Sequence, residues 1–156
     1  MFVYEKIGRI ISLVVVGLFV VSCGKSAEET TTYENNAITG VKATLTYYHK
    51  GDKVIRQTSK NIINYEETGL ENKDAAEEAM KSVGIDMYKG IEGIEHSIKY
   101  EEKEAIEEIT VDYDKLDYNK AKIVPGIDVS GDTKKGVSLK ASEKLLEANG
   151  YTKITK

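Results

Sequence analysis

The sequence predicts an α+β domain: an antiparallel sheet built from two β-hairpins with two helices packed on one face, in the order β-β-α-β-β-α. Three observations predict this class. Two regions alternate apolar and polar residues with the period of a strand, and each precedes a region with helical spacing. The folded part, roughly 110–120 residues, is also long enough to bury one core without disulfides. A cleaved signal and a flexible tether are expected to precede the domain.

The first hairpin is predicted within residues 40–68. Its first strand alternates apolar and polar residues, as a strand with one buried face does. The apolar positions of this strand are Val41, Ala43, Leu45 and Tyr47. The second strand contains two adjacent isoleucines, which predict either a bulge or a strand covered on both faces. Its apolar positions are Ile55, Ile62, Ile63 and Tyr65.

A turn at Gly51–Asp52 joins these strands, because glycine readily adopts the positive φ that tight hairpin turns require. With this turn, Tyr47 is expected to pair with Arg56, and Tyr48 with Ile55. The chain contains ten tyrosines, and five of them lie on predicted strands. Packing within a half-exposed sheet is one interpretation. A ligand or partner surface is the other, and its candidate residues are Tyr47, Tyr48 and Arg56.

The first helix is predicted over residues 71–89. Asn72 is its expected N-cap, because an asparagine side chain accepts a hydrogen bond from a free amide of the first turn. Apolar residues recur at helical spacing on one stripe, and Gly84 is expected to end or kink the helix. The stripe consists of Ala76, Ala79, Met80, Val83 and Met87.

The second hairpin is predicted between residues 96 and 113. The charged stretch Glu101–Glu108 also fits a helical piece, but the flanking β-branched and aromatic residues favour strands. The residues that share a face are His96, Ile98 and Tyr100 on the first strand, and Ile109, Val111 and Tyr113 on the second.

The last helix is predicted over residues 139–149, between an N-cap at Ser138 and a C-terminal stop at Gly150. Its spacing directs two adjacent leucines, Leu145 and Leu146, toward the core. A short final strand is predicted after Gly150. Its apolar residues are Tyr151 and Ile154.

The N-terminus predicts a lipoprotein signal. Lys6 and Arg9 precede the apolar run Ile10–Val21, which is too short to cross a bilayer and suits the core of a signal peptide. Ser22 then precedes Cys23, as a small residue precedes a lipidated cysteine. An ordinary secretory signal with an incidental cysteine is the alternative.

The chain is therefore divided into a signal peptide at residues 1–22, a lipidated cysteine and flexible tether at 23–37, and a single domain at 38–156. A tether is expected because residues 24–36 are polar and short of core-forming side chains. Acylation of Cys23 would anchor the protein to membrane lipid on the extracytoplasmic face of the cell membrane. No thiol would then remain for catalysis or metal binding.

Composition excludes some partners. The net charge of −4 argues against nucleic acid. The two histidines, His49 and His96, lack the spacing of metal ligands, so no metal site is predicted. No cofactor is indicated. The acids between Glu101 and Asp114 form a charge run that fits a solvated face; an acid/base pair or a cation site is the other interpretation.

Short segments in a fixed order carry a family resemblance. They are Lys50–Val54, Lys73–Ala76, Gly90–Gly93, Thr110–Asp112, Gly126–Ser130 and Lys134–Leu139. This ordered set resembles the YehR-type small bacterial lipoproteins, a family without assigned function. The resemblance implies a compact α+β domain on a lipidated tether, secreted across the inner membrane, and it implies no catalytic residue.

Two functional hypotheses follow. The first is a non-enzymatic binding or interaction module of the cell envelope, whose partner is an unknown envelope protein or a small ligand. It rests on the lipoprotein signal, the single small domain and the lack of a nucleophile–base motif. The alternative is an extracytoplasmic, carboxylate-dependent hydrolase that acts on cell-wall material, which requires two acids facing each other in a concave site.

Overall fold

The computed structural model describes residues 27–124, 127 and 136–154, so the predicted signal peptide and Cys23 lie outside the described residues. A 3₁₀ turn at Ile85–Tyr88 follows the second helix. The described helices and strands are β1 (Glu29–Asn35), β2 (Val41–Lys50), β3 (Lys53–Asn64), α1 (Tyr65–Thr68), α2 (Lys73–Ser82), β4 (Ile94–Tyr100), β5 (Glu104–Asp112), α3 (Tyr118–Ala121), β6 (Val137–Ser138), α4 (Leu139–Ala148) and β7 (Thr152–Ile154).

The seven described strands form one antiparallel sheet in the order β4-β5-β3-β2-β1-β7, and the short β6 pairs with the start of β3. Both predicted hairpins are present, since β2 pairs with β3 and β4 pairs with β5. The α+β class is confirmed. Strand β3 lies between β2 and β5, and its adjacent residues Ile62 and Ile63 are half-buried on opposite faces.

Strand β1 corrects the predicted tether. Glu29–Asn35 falls inside the segment that was expected to be flexible, yet it pairs with β2 along its whole length and with β7 on its other side. Its one large apolar residue, Tyr33, is 0% exposed. The tether prediction is therefore wrong over this strand, because long-range backbone pairing and one buried ring order a segment of polar composition. The folded domain begins at Glu29 rather than at residue 38.

The register of the first hairpin differs from the prediction. Lys50 pairs with Lys53 and His49 with Val54, as the predicted turn requires. A bulge between His49 and Tyr48 then displaces the later pairs, so Tyr48 pairs with Arg56. Tyr47 consequently lies opposite Gln57 instead of Arg56. A bulge adds one residue to one strand and shifts every later pair by one position. The predicted pairs of both tyrosines are therefore wrong.

Alternation along the strands separates two faces of the sheet. The inner face packs against the helices, since residues of all four described helices join clusters built on it. The main cluster includes Tyr33, Leu45, Val111 and Leu146. On the opposite, outer face no described residue of β1–β5 is fully buried. One row of the outer face runs across four strands and consists of Thr32, Thr46, Thr58 and Thr110.

The first predicted helix is divided by Gly84. Asn72 caps α2 as predicted, because its side chain accepts a hydrogen bond from the amide of Ala75 at 3.0 Å. Gly84 has a φ of 87°, a left-handed conformation that ends the helix before the 3₁₀ turn. The predicted apolar stripe is only partly correct: Ala76 is buried, whereas Val83 and Met87, which follow α2, are exposed.

The last helix has the predicted limits. The hydroxyl of Ser138 accepts a hydrogen bond from the amide of Ala141, and Gly150 follows the helix with a φ of 84°. Leu146 is buried but Leu145 is exposed, because adjacent residues of a helix point about 100° apart. The sequence did not indicate that Asp52 also caps this helix: its carboxylate accepts the amide of Lys140 at 2.9 Å, which lowers the pKa of that carboxyl.

Tyr65 was predicted on the second strand of the first hairpin, but it begins α1. The side chain of Asn64 accepts a hydrogen bond from the amide of Glu67 at 3.0 Å and caps this short helix. An N-cap fixes the direction in which the chain leaves the strand. Tyr65 is buried there with Ala76 and Ala105, in a second cluster beneath α2.

Tyr33 connects β1 to α4 through a hydrogen bond, so its contribution to stability can be tested. Its hydroxyl donates to the carboxylate of Glu143, and Lys153 donates to the same oxygen at 3.0 Å. The hydrogen bond from Tyr33 lowers the pKa of Glu143. A carboxyl whose folded pKa lies below its unfolded value contributes stability above the unfolded pKa, and that contribution is lost as pH falls through the folded pKa.

Tyr33→Phe is expected to lower the free energy of unfolding by about 1–2 kcal/mol near neutral pH. The loss should shrink as the pH falls below about 4, where the unfolded carboxyl takes up its proton. Urea unfolding across this pH range measures both effects. Tyr48→Phe is the matched control, because that hydroxyl lies on the outer face, and it should change stability by less than about 0.5 kcal/mol. A loss that is independent of pH would contradict the role of Glu143.

Candidate functional site

A polar cavity interrupts the apolar core on the inner face of the sheet. Its volume is about 130 Å³, enough for several water molecules or one small organic molecule. Three alternate residues of β3 line it, and they are Gln57, Ser59 and Asn61. The other lining residues are Leu45, Tyr88, Glu107, Ile109, Ile127 and Tyr151.

Strand alternation places these polar side chains where a core usually lies. Gln57, Ser59 and Asn61 share the face of β3 that points toward the helices. Their partners on β5 are Val111, Ile109 and Glu107, in the same order. The segment 57–61 contains no apolar residue, a composition that indicates exposure to solvent. Sequence reasoning therefore missed the cavity.

Glu107 is a buried carboxylate beside the cavity, with 7% of its surface exposed. Asn61 donates from Nδ2 to its Oε2 at 2.7 Å, and Nε2 of His96 lies 3.0 Å from its Oε1. Burial of a charge is costly unless hydrogen bonds or an opposite charge compensate it. Among the described residues, no lysine or arginine forms an ion pair with Glu107; His96 is its only basic neighbour.

Tyr88 closes the same region. Its ring stacks on the ring of His96 with centroids 4.6 Å apart. Burial, with a further contribution from the charge of Glu107, raises the pKa of Tyr88 to about 12. The Tyr88 hydroxyl therefore stays neutral at physiological pH. The stacked ring of Tyr88 fixes the plane of the imidazole that contacts Glu107.

Three polar groups around the cavity have no hydrogen-bond partner within the described part of the chain. Gln57, 5% exposed, accepts the Tyr113 hydroxyl through Oε1 at 2.9 Å, which leaves its amide nitrogen unpaired. The hydroxyls of Ser59 and Tyr151 are the other two. These three groups are open to the cavity and are not sealed in the core; the buried side-chain atom without a partner in the described residues is the hydroxyl oxygen of Tyr100. A polar group that faces a cavity can bond to water or to a ligand. The cavity is therefore suited to a polar occupant.

The acids that were considered as an acid/base pair do not meet in the described residues. Glu107 is the only carboxylate among the described residues that line the cavity. The outer-face residue Glu108 pairs with Lys60 at 3.4 Å, and Asp114 pairs with Lys53 at 2.8 Å. Hydrolysis by paired carboxylates requires both groups on one substrate, and the described lining of the cavity supplies one.

The two histidines have different surroundings. His49 is buried, with Nδ1 2.9 Å from the carbonyl oxygen of Gly51 and Nε2 3.0 Å from the hydroxyl of Thr31, so both ring nitrogens serve the fold. His96 lies beside the cavity. No three His, Cys, Asp or Glu side chains of the described residues are grouped to hold a metal ion.

The predicted tyrosine surface is divided between the two faces. Tyr47 is 5% exposed and packs edge-on against Tyr33, with ring centroids 6.0 Å apart. Its assignment to an accessible surface is therefore wrong, because alternation along β2 places Tyr47 on the inner face with Leu45. Tyr48 and Arg56 do lie together on the outer face, where the guanidinium carbon is 3.9 Å from the ring centroid.

Cys23, the predicted lipidation site, lies outside the described residues. Within residues 27–124, 127 and 136–154, no helix has the length and apolar character needed to cross a membrane.

Two bacterial proteins are similar in sequence to this chain over nearly its whole length. The uncharacterized lipoprotein Lmo0207 of Listeria monocytogenes is 37% identical over 97% of this chain and 97% of its own length. The uncharacterized lipoprotein YehR of Escherichia coli is 32% identical, over 96% of this chain and 99% of its own.

Two NMR structures are similar to this one. That of Escherichia coli YehR has a TM-score of 0.68 at 31% identity and covers 83% of this chain and 92% of its own. That of a Streptococcus pneumoniae protein has a TM-score of 0.54 at 19% identity, covers 85% of this chain and 88% of its own, and shares the fold alone. The family described as "Protein of unknown function (DUF1307)" matches residues 29–152, starting at the first residue of β1. The chain therefore belongs to the DUF1307 family, whose relatives named above are uncharacterized lipoproteins.

Proposed function

We propose that this protein is a lipid-anchored binding protein of the bacterial cell envelope, and that the inner-face cavity holds a small polar ligand. The observation that carries the proposal is the set of unpaired polar groups around this cavity. These groups are the amide nitrogen of Gln57 and the hydroxyls of Ser59 and Tyr151, which have no hydrogen-bond partner among the described residues. A binding role suits the site better than hydrolysis, because Glu107 is the one carboxylate among the described residues that line it.

The anchor is Cys23, placed by the signal that precedes it on the extracytoplasmic face of the cell membrane. The names of the relatives support this part of the proposal. Only residues 24–28 separate Cys23 from β1. Such a segment spans at most about 20 Å. The domain consequently stays close to the lipid surface, with the start of β1 and the adjacent β2–β3 turn nearest the anchor.

Three small probes of similar size and different charge test the binding role: propylammonium, propionamide and propionate. Each is titrated into ¹⁵N-labelled full-length protein purified from bacterial membranes in detergent micelles. At least one probe is expected to cause saturable shifts of amide resonances, centred on Gln57, Ser59 and Glu107. Shifts that rise linearly for all three probes would contradict the proposal.

Ser59→Leu is expected to abolish the saturable shifts, because the added methyl groups occupy the cavity. Thr58→Leu is the matched control. Thr58 is adjacent to Ser59 on β3, but its side chain lies on the outer face, so this variant should bind the probe as the wild type does. Thermal unfolding checks that both variants are folded. Saturation that persists in Ser59→Leu would place the ligand elsewhere and overturn the assignment of the site.

A further inference from the structure

The polar groups around the cavity differ in charge and in whether they donate or accept hydrogen bonds. We infer that the ligand is a small primary ammonium ion that also carries an uncharged acceptor oxygen, with Glu107 as the counter-ion and the Gln57 amide as the donor to the oxygen. This inference rests on the proposed binding function and specifies its ligand. It is argued from the charge, the hydrogen-bonding capacity and the size of the cavity.

The charge of the cavity favours a cation. Glu107 lines it, and none of the described lining residues is a lysine or an arginine. Asn61 donates one hydrogen bond to the carboxylate, and Nε2 of His96 lies 3.0 Å from its other oxygen. Each carboxylate oxygen accepts two hydrogen bonds, which leaves one position on each oxygen for a ligand. An anion would instead meet a like charge in a region shielded from water.

The remaining groups suit the other parts of such a ligand. An ammonium group has three donors, and Ser59 and Tyr151 supply hydroxyl oxygens to the cavity that Glu107 lines. The Gln57 amide nitrogen can only donate, so it requires an acceptor on the ligand. Leu45 and Ile109 supply an apolar wall for a short carbon chain.

Geometry limits the length of the ligand. Gln57 lies four residues along β3 from Asn61, the cross-strand partner of Glu107. The two ends of the site are therefore about 13 Å apart at the backbone. The side chains of Gln57 and Glu107 extend into the space between, and the volume of about 130 Å³ admits only a few carbon atoms. A three-carbon amino alcohol meets both limits.

The test compares aminopropanol, propylammonium and propanediol in the same NMR titration of the full-length protein, near pH 8, where an ordinary histidine is neutral. Aminopropanol is expected to bind most tightly, because propylammonium lacks the acceptor oxygen and propanediol lacks the charge. This comparison uses only the wild-type protein. Propanediol binding as tightly as aminopropanol would overturn the inference.

Two matched variants identify the counter-ion. Glu107→Gln should weaken aminopropanol binding by about tenfold or more, because a hydrogen bond between charged groups is lost. Glu108→Gln removes the same charge from the neighbouring residue on the outer face, and the affinity should not change. Thermal unfolding verifies that both variants are folded. Equal affinities of Glu107→Gln and wild type would contradict the assignment of Glu107.

Failure of this inference is distinguishable from failure of the proposed function. Saturable binding of propionamide or propionate, with no binding of either amine, would reject the ammonium ligand and leave the binding role intact. Absence of saturable binding by every probe would reject both.

Discussion

Gly93→Ala is expected to lower the free energy of unfolding by about 2–5 kcal/mol. Gly93 has a φ of 84°, which costs an alanine about 1–2 kcal/mol. An added Cβ would lie 2.6 Å from Cα of Leu116 and 2.8 Å from the carbonyl oxygen of Asp112. Because both neighbours are backbone atoms, relief requires movement of the chain, and overpacking of this kind costs about 1–3 kcal/mol more. Urea unfolding measures the loss.

Gly90→Ala is the matched control. Gly90 also has a positive φ, of 72°, but an added Cβ would meet nothing within 4 Å. Its cost should therefore be limited to the backbone conformation, about 1–2 kcal/mol. Similar losses for the two variants would contradict the close approach of Gly93 to the segment after β5.

Cys23→Ala is expected to release the protein from the membrane almost completely. In the wild type, intact mass should show a chain that begins at Cys23 and carries a diacylglycerol increment, and fractionation should place it with the membranes. Ser26→Ala, three residues further along, is the control and should retain both properties. A wild-type chain that is secreted without modification would contradict the anchor, and it would restore a free thiol to the protein.

The elements that the sequence predicted well depend on local chemistry. Asn72 and Ser138 cap their helices because each side chain accepts a hydrogen bond from the amide three residues further along the chain. Gly84 and Gly150 end helices because both adopt positive φ. The two hairpins follow from period-2 alternation, and the Gly51–Asp52 turn joins the first pair of strands as expected.

The elements that the sequence did not predict depend on contacts between distant residues. Strand β1 is polar, and it is ordered by pairing with β2 and β7 and by the burial of Tyr33. Its run of three threonines, Thr30 to Thr32, was the available signal, since threonine favours strands. The bulge in the first hairpin and the capping of α4 by Asp52 likewise leave no local pattern.

The candidate site illustrates the same limit. Segment 57–61 of β3 has the composition of an exposed strand, and only the register shows that its polar side chains face the helices. One signal was present: Ala105, Glu107, Ile109 and Val111 occupy the same phase of β5, so a carboxylate interrupts an apolar series. The contacts of Glu107 with His96 and Asn61 join three strands, which no spacing along the chain indicates.

The most direct test of the cavity as the ligand site is an intermolecular NOE measurement on the full-length protein with bound propylammonium. The account predicts NOEs from the carbon-bound protons of the probe to the methyl groups of Leu45 and Ile109, which line the cavity. NOEs to Thr58 or to the ring of Tyr48 on the outer face, without contacts to Leu45 and Ile109, would contradict it.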